Sequence, residues 1–119
     1  MLAGEHQKRY ENTEKLINEE IFEVNKTEHR DWLSVIMFYG AVHIIEKQLA
    51  LRQTPYHSTG HDDRNKETRK LKVGHKLVSN YLLLYNAGLD ARYYNIYLTL
   101  EEINDLRNSY NTIKGILGA

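Results

Sequence analysis

The sequence has no cysteine. That excludes a disulfide scaffold, cysteine-ligated zinc, an iron–sulfur cluster and a thiol nucleophile, and it fits a reducing compartment. One proline and seven glycines leave no room for a low-complexity linker. An excess of one charge is missing too, because 16 Lys and Arg balance 16 Asp and Glu. A general polyanion binder carries a large basic excess, so the balance argues against that class. The opening MLAGEHQKRYENTEK has no apolar run after a basic start, and does not read as a secretory signal. The longest apolar stretch, Trp32 to Ile45, is interrupted by Ser34, Gly40 and His43. It is shorter than the roughly 20 residues a membrane span needs. A cytoplasmic location and no membrane partner are the default expectations.

What is present is helical periodicity over a length suited to one domain, residues 1–119. Tyr10, Ile17, Ile21 and Val24 recur at helical spacing, with Leu16 and Phe22 widening the stripe. Asn25, Lys26 and Thr27 break that pattern, and Thr27 or Asn25 suits the cap of a second helix over about 28–52. The middle of this second helix, WLSVIMFYGAVHII, is apolar on nearly every side, so it is expected at the centre of a bundle. Gly40 and Ala41 there point to a close helix crossing. Pro55 ends the helix near Gln53 and opens the loop QTPYHSTG, with Ser58 or Thr59 as the cap of the third helix.

Residues 61–76 are basic on balance, and Gly74 marks a kink or a break between a short third helix and a longer fourth. Leu77, Val78, Tyr81, Leu82, Leu84 and Tyr85 supply the apolar stripe of the fourth. Asn86-Ala87-Gly88 is expected to end it, with Gly88 in the left-handed conformation. Residues 89–98 read as a connector or a further short helix. Thr99 and Glu102 form a T-x-x-E capping box. Behind it Ile103, Leu106, Tyr110, Ile113 and Leu117 form a narrow apolar seam. The expected fold is all-α, an antiparallel up-and-down bundle of four main helices plus short helical pieces.

Candidate chemistry is sparse. His57 and His61 are four apart, but they straddle a loop and lack the adjacent glutamate of a zinc helix. No metal site is assigned, and no cofactor is expected. His43 lies in the most apolar helix, as a satisfied core histidine or a polar residue lining a cleft. The bases of residues 64–76 suit phosphate contact or simple solvation. Tyr93, Tyr94 and Tyr97 beside Arg92 suit base stacking or packing of the last connection.

The order of these pieces is familiar. Trp32 leads into Phe38-Tyr39-Gly40-Ala41-Val42-His43, then His61-x-x-Arg64-Asn65, Tyr81-Leu82-x-Leu84-Tyr85 and Ala91-Arg92-Tyr93. Over about residues 30–95 this resembles the HEPN (higher eukaryotes and prokaryotes nucleotide-binding) superfamily, small stand-alone prokaryotic members above all. The resemblance implies a helical bundle, commonly a homodimer, with roles in RNA cleavage, nucleotide binding or toxin–antitoxin and defence systems. Family ribonucleases place a His four to six residues after a late Arg. Here the matching Arg92 has no such His, while Arg52 with His57, interrupted by Pro55, and Arg69 with His75 meet the spacing earlier in the chain.

The expected function is therefore a module binding a nucleotide, RNA or a protein partner without an intact ribonuclease motif. The expected ligand-binding residues are His43, His61, Arg64, Tyr81 and Arg92. The alternatives are a ribonuclease using Arg69 and His75 or the cleft histidines, and a purely structural interaction protein. In the structural alternative the same polar residues only fix the register of the bundle.

Overall fold

In the computed structural model, which describes residues 2–23, 29–94 and 97–119, the chain forms five α-helices and no strand among those residues. They are α1 (Ala3–Ile17), α2 (Arg30–Ala50), α3 (His61–Thr68), α4 (Gly74–Tyr93) and α5 (Leu100–Leu117), with a 3-10 turn at Glu20–Phe22.

Helix α2 touches each of the other four. Thr13 meets Gly40 and Gln7 meets Lys47, so α1 and α2 run antiparallel. Gly88 packs on Phe38 while Tyr81 reaches the level of Glu46 through Arg64, so α4 also runs antiparallel to α2. Tyr110 meets Gly40 and the Leu117 carbonyl meets Gln48, which sets α5 parallel to α2. The all-α up-and-down bundle expected from periodicity is the fold observed. Short α3 lies across the end where α2 finishes and α4 begins.

The core follows from α2's composition. Leu33, Met37, Ala41, Ile45 and Leu49 are fully buried, and Leu77, Tyr81, Leu84, Ile103 and Ile113 close over them from α4 and α5. Each Leu or Ile so buried contributes about 1.5–3 kcal/mol. Trp32 and Tyr39, from the same apolar stretch, are exposed and face away from this core. The seam of α5 packs as expected at Ile103, Leu106, Tyr110 and Ile113, and Leu117 is half-buried at its end. Its N-terminus carries the expected capping box: the Glu102 amide donates to Thr99 Oγ1 and the Thr99 amide to Glu102 Oε1, both at 3.1 Å.

Several local expectations are corrected. Leu16 is exposed on α1, which stops at Ile17, and Phe22 enters the core from the 3-10 turn. The Ile21 side chain, Val24, and the expected caps Asn25 and Thr27 lie outside the described residues. Helix α2 spans Arg30–Ala50, a little less than expected. The cap of α3 is Gly60 and not Ser58 or Thr59. There Asp63 reaches back from the first turn and accepts from the Thr59 amide at 2.9 Å, which satisfies a backbone donor just ahead of the helix.

Gly74 does mark a break, because α4 starts there, but Gly88 does not end α4. Gly88 stays helical and packs on Phe38, whose Cβ would lie in ordinary contact, 3.5 Å from an added Cβ. The continuing helix absorbs residues 89–93. Ahead of α4, Val73 sits in the left-handed region at φ 54°, a strained place for a β-branched residue.

At Gly40, α2 meets side chains from both α1 and α5 at close range. A Cβ there would stand 2.6 Å from Tyr110 Oη and 2.9 Å from Thr13 Cγ2. Tyr110 cannot easily withdraw, because it donates to Glu14 Oε1 at 2.9 Å, and Lys114 Nζ holds the same carboxylate at 2.6 Å. A glycine inside a helix costs up to about 1 kcal/mol against alanine, and the close crossing offsets it. Gly40→Ala is therefore expected to destabilise the protein by about 1–3 kcal/mol despite its better helix propensity. Urea unfolding followed by circular dichroism measures the difference.

Candidate functional site

The end of α2 carries a carboxylate inside the core. Glu46 is 1% exposed, on the face of α2 that α3 and the 51–60 loop cover. Its Oε1 accepts from Arg64 Nε at 2.8 Å, and its Oε2 from the Ser58 amide at 3.2 Å. Burial alone would push this carboxyl up. Hydrogen bonds from Ser58 and Arg64, together with the guanidinium charge, outweigh it and hold the carboxyl below its ordinary range.

Arg64 also donates from Nη1 to Tyr81 Oη at 3.2 Å, and that phenol lies 2.8 Å from His61 Nδ1. A guanidinium only donates, so the phenol oxygen accepts from Arg64 and its proton goes to His61. Burial raises the Tyr81 phenol and lowers the His61 imidazole, which keeps both groups neutral in that arrangement. His61 stacks flat on Tyr85, with ring centroids 3.5 Å apart and planes within 4°.

On the other side of Glu46 stand three histidines. His6 from α1 is 1% exposed and shares a 2.9 Å Nδ1···Nδ1 hydrogen bond with His43 of α2. One bond between two imidazole nitrogens holds one proton, so both rings are not charged together. Burial and the neighbouring His6, Arg9 and Arg64 push His43 down to about 4, and burial also lowers His6. His57, exposed on the loop, stacks over His6 with centroids 5.3 Å apart.

Four of the five expected site residues thus gather around Glu46. His61, Arg64 and Tyr81 are in direct contact, and His43 stands one helical turn before Glu46 on α2. Arg92 does not join them. It lies at the far end of α4, where Nη1 donates to Tyr39 Oη at 2.9 Å and Nε to the Gly88 carbonyl at 3.1 Å. Its guanidinium stands over the Phe38, Tyr39 and Tyr93 rings at 5.6–5.8 Å. The bulk of Phe38 and the longer α4 separate it from Arg64. The alternative pair, Arg69 and His75, flanks the α3–α4 turn, and both are exposed.

Two members, Glu46 and His6, belong to no motif in the sequence. The signal for Glu46 was its place one turn after His43 on the most apolar helix. His6 gave a weaker one, since it lies four residues before Tyr10 on the buried stripe.

A separate cleft of about 400 Å³ opens between α1 and α2, lined by Arg9, Asn12, Thr13, Leu16, Tyr39 and His43. His43 thus faces the buried network with one edge and this cleft with the other. Arg92 does not line this cleft and reaches it only through the bond to Tyr39.

Removing Arg64 leaves a charged Glu46 buried without its partner, which costs about 3–5 kcal/mol. Arg64→Met should lower stability by that amount, and Glu46→Leu combined with Arg64→Met should recover a large share of it. Chemical denaturation of the two variants beside the wild type measures both.

No family model matches this sequence, and no curated protein or solved structure resembles it at a significant level.

Proposed function

We propose that this chain is a HEPN-like, homodimeric module that binds a nucleotide or single-stranded RNA in the cleft between α1 and α2. The observation that carries the reading is the cleft's chemistry. Arg9 and Arg92 make no ion pair among the described residues. They flank a half-exposed Tyr39 and a neutral His43. Guanidiniums free of a carboxylate are suited to phosphate. An exposed phenol ring offers a stacking face to any base. Tyr93, Tyr94 and Tyr97 extend that aromatic surface beyond Arg92, and all three are exposed.

Within this reading His61, Arg64 and Tyr81 position the site and do not bind the anion. Arg64 is already committed to Glu46, which answers its charge. Binding is preferred over cleavage because Tyr93, Tyr94 and Tyr97, and no histidine, follow Arg92. Arg69 and His75 do not line the cleft.

The test is equilibrium binding of a fluorescent nucleoside triphosphate and of a short single-stranded RNA, in chelator, at two salt concentrations. The expected result is salt-sensitive binding by at least one probe. Arg9→Ala and Arg92→Ala should each weaken it by about tenfold, near 1.4 kcal/mol. Sedimentation of the same samples should show a dimer. Failure of both probes at millimolar concentration contradicts the reading and leaves a protein partner or a structural role.

A further inference from the structure

We propose that His6, Glu46 and His57 form a site for a divalent transition metal of the zinc class, with one coordination position open to solvent. One ligand atom from each residue lies within 4.8 Å of the other two. Two imidazoles and one carboxylate, with a fourth position for water, form a donor set that zinc accepts. Magnesium and calcium prefer sites made of oxygen alone. The residues come from three separate places, α1, α2 and the 51–60 loop, so no local sequence motif announces the site.

The unpartnered atom is His6 Nε2. This nitrogen is buried and has no hydrogen-bond partner, on a side chain only 1% exposed. A buried polar atom left without a partner costs free energy and calls for an explanation. With the shared proton on His6 Nδ1, donated to His43, Nε2 is a bare lone pair. His57 is prepared in the same way. Its Nδ1 lies 2.9 Å from the Ser58 carbonyl, which only accepts, so Nδ1 carries the proton and Nε2 is free. Metal-bound histidines characteristically donate the other ring nitrogen to a fixed acceptor in this manner. The third ligand is oriented as well, since Arg64 and the Ser58 amide hold one oxygen each of Glu46 and leave lone pairs unused.

The geometry is open by a small margin. Zinc bonds of about 2.0–2.1 Å hold tetrahedral ligand atoms roughly 3.3 Å apart, so the three must draw together by up to about 1.5 Å. His57 is exposed and on a loop, and its ring supplies that movement. The Arg64 guanidinium opposes the metal's charge, so affinity is expected below that of closed structural zinc sites.

The test uses untagged full-length protein, stripped with chelator and exchanged into chelator-free buffer. Zinc chloride is titrated by calorimetry, and cobalt chloride by visible absorption. The expected result is one equivalent bound, a tetrahedral or five-coordinate cobalt spectrum, and a higher melting temperature with zinc. His57→Ala, at an exposed position that leaves the fold intact, should weaken zinc binding more than about tenfold. Glu46→Gln should do the same, while His75→Ala, at an exposed histidine elsewhere, should leave it unchanged. Absence of zinc binding, binding unaffected by His57→Ala, or equal weakening by His75→Ala overturns the proposal.

Discussion

The arrangement at the end of α2 depends on one buried ion pair. Glu46 stands where an apolar side chain would pack without cost, and its charge is tolerable only because Arg64 and the Ser58 amide meet it. That requirement places α3, which carries Arg64, across the ends of α2 and α4. It also pulls the 51–60 loop inward at Ser58, which is itself buried. His57 arrives over His6 as a consequence, and His61 arrives beside Tyr81. Apart from the hold of Tyr110 and Lys114 on Glu14, the rest of the core is a set of apolar contacts that specify a bundle but would tolerate small shifts along it. A charge with two defined partners does not tolerate them, so the pair fixes register where hydrophobic burial does not.

The same end of the bundle is unusually rich in neutral polar rings. His6, His43 and His61 are all held toward their neutral forms by burial. Neutral imidazoles keep one nitrogen as a donor and one as an acceptor, and here the Nδ1 atoms of all three have assigned neighbours. His6 Nε2 is buried without one, and the proposed metal site arises from it. The cleft proposed to take phosphate is a separate matter. It lies on the α1–α2 face, is lined by Arg9 and Tyr39, and shares only His43 with the buried network.

The bundle was legible because its signals are local or periodic. The all-round apolar character of residues 32–45 announced a central helix, and Thr99 with Glu102 announced the start of α5. Gly40 announced a close crossing. Where sequence reading failed, a distant contact had overruled a local rule. Gly88 would end a free helix, yet here it packs against Phe38 and α4 runs on to Tyr93. Ser58 would cap α3, yet it is drawn inward, buried with its amide on Glu46, and Gly60 takes the cap position. The candidate site was legible in part for the same reason: His61, Arg64 and Tyr81 are brought together by two adjacent helices. His6 reaches the site only through the pairing of α1 with α2, and no spacing in the sequence encodes that.

The network around Glu46 makes a definite statement about protons, and nitrogen-15 spectra of the histidine side chains read it directly. Neutral His6 and His43 at pH 7, with Nδ1 of His6 protonated, its Nε2 bare, and His43 uncharged until about pH 4, is the predicted result. Two imidazoles that titrate independently near the ordinary value of about 6.5, each free to exchange tautomers, would contradict it. The buried site would then have no prepared ligand.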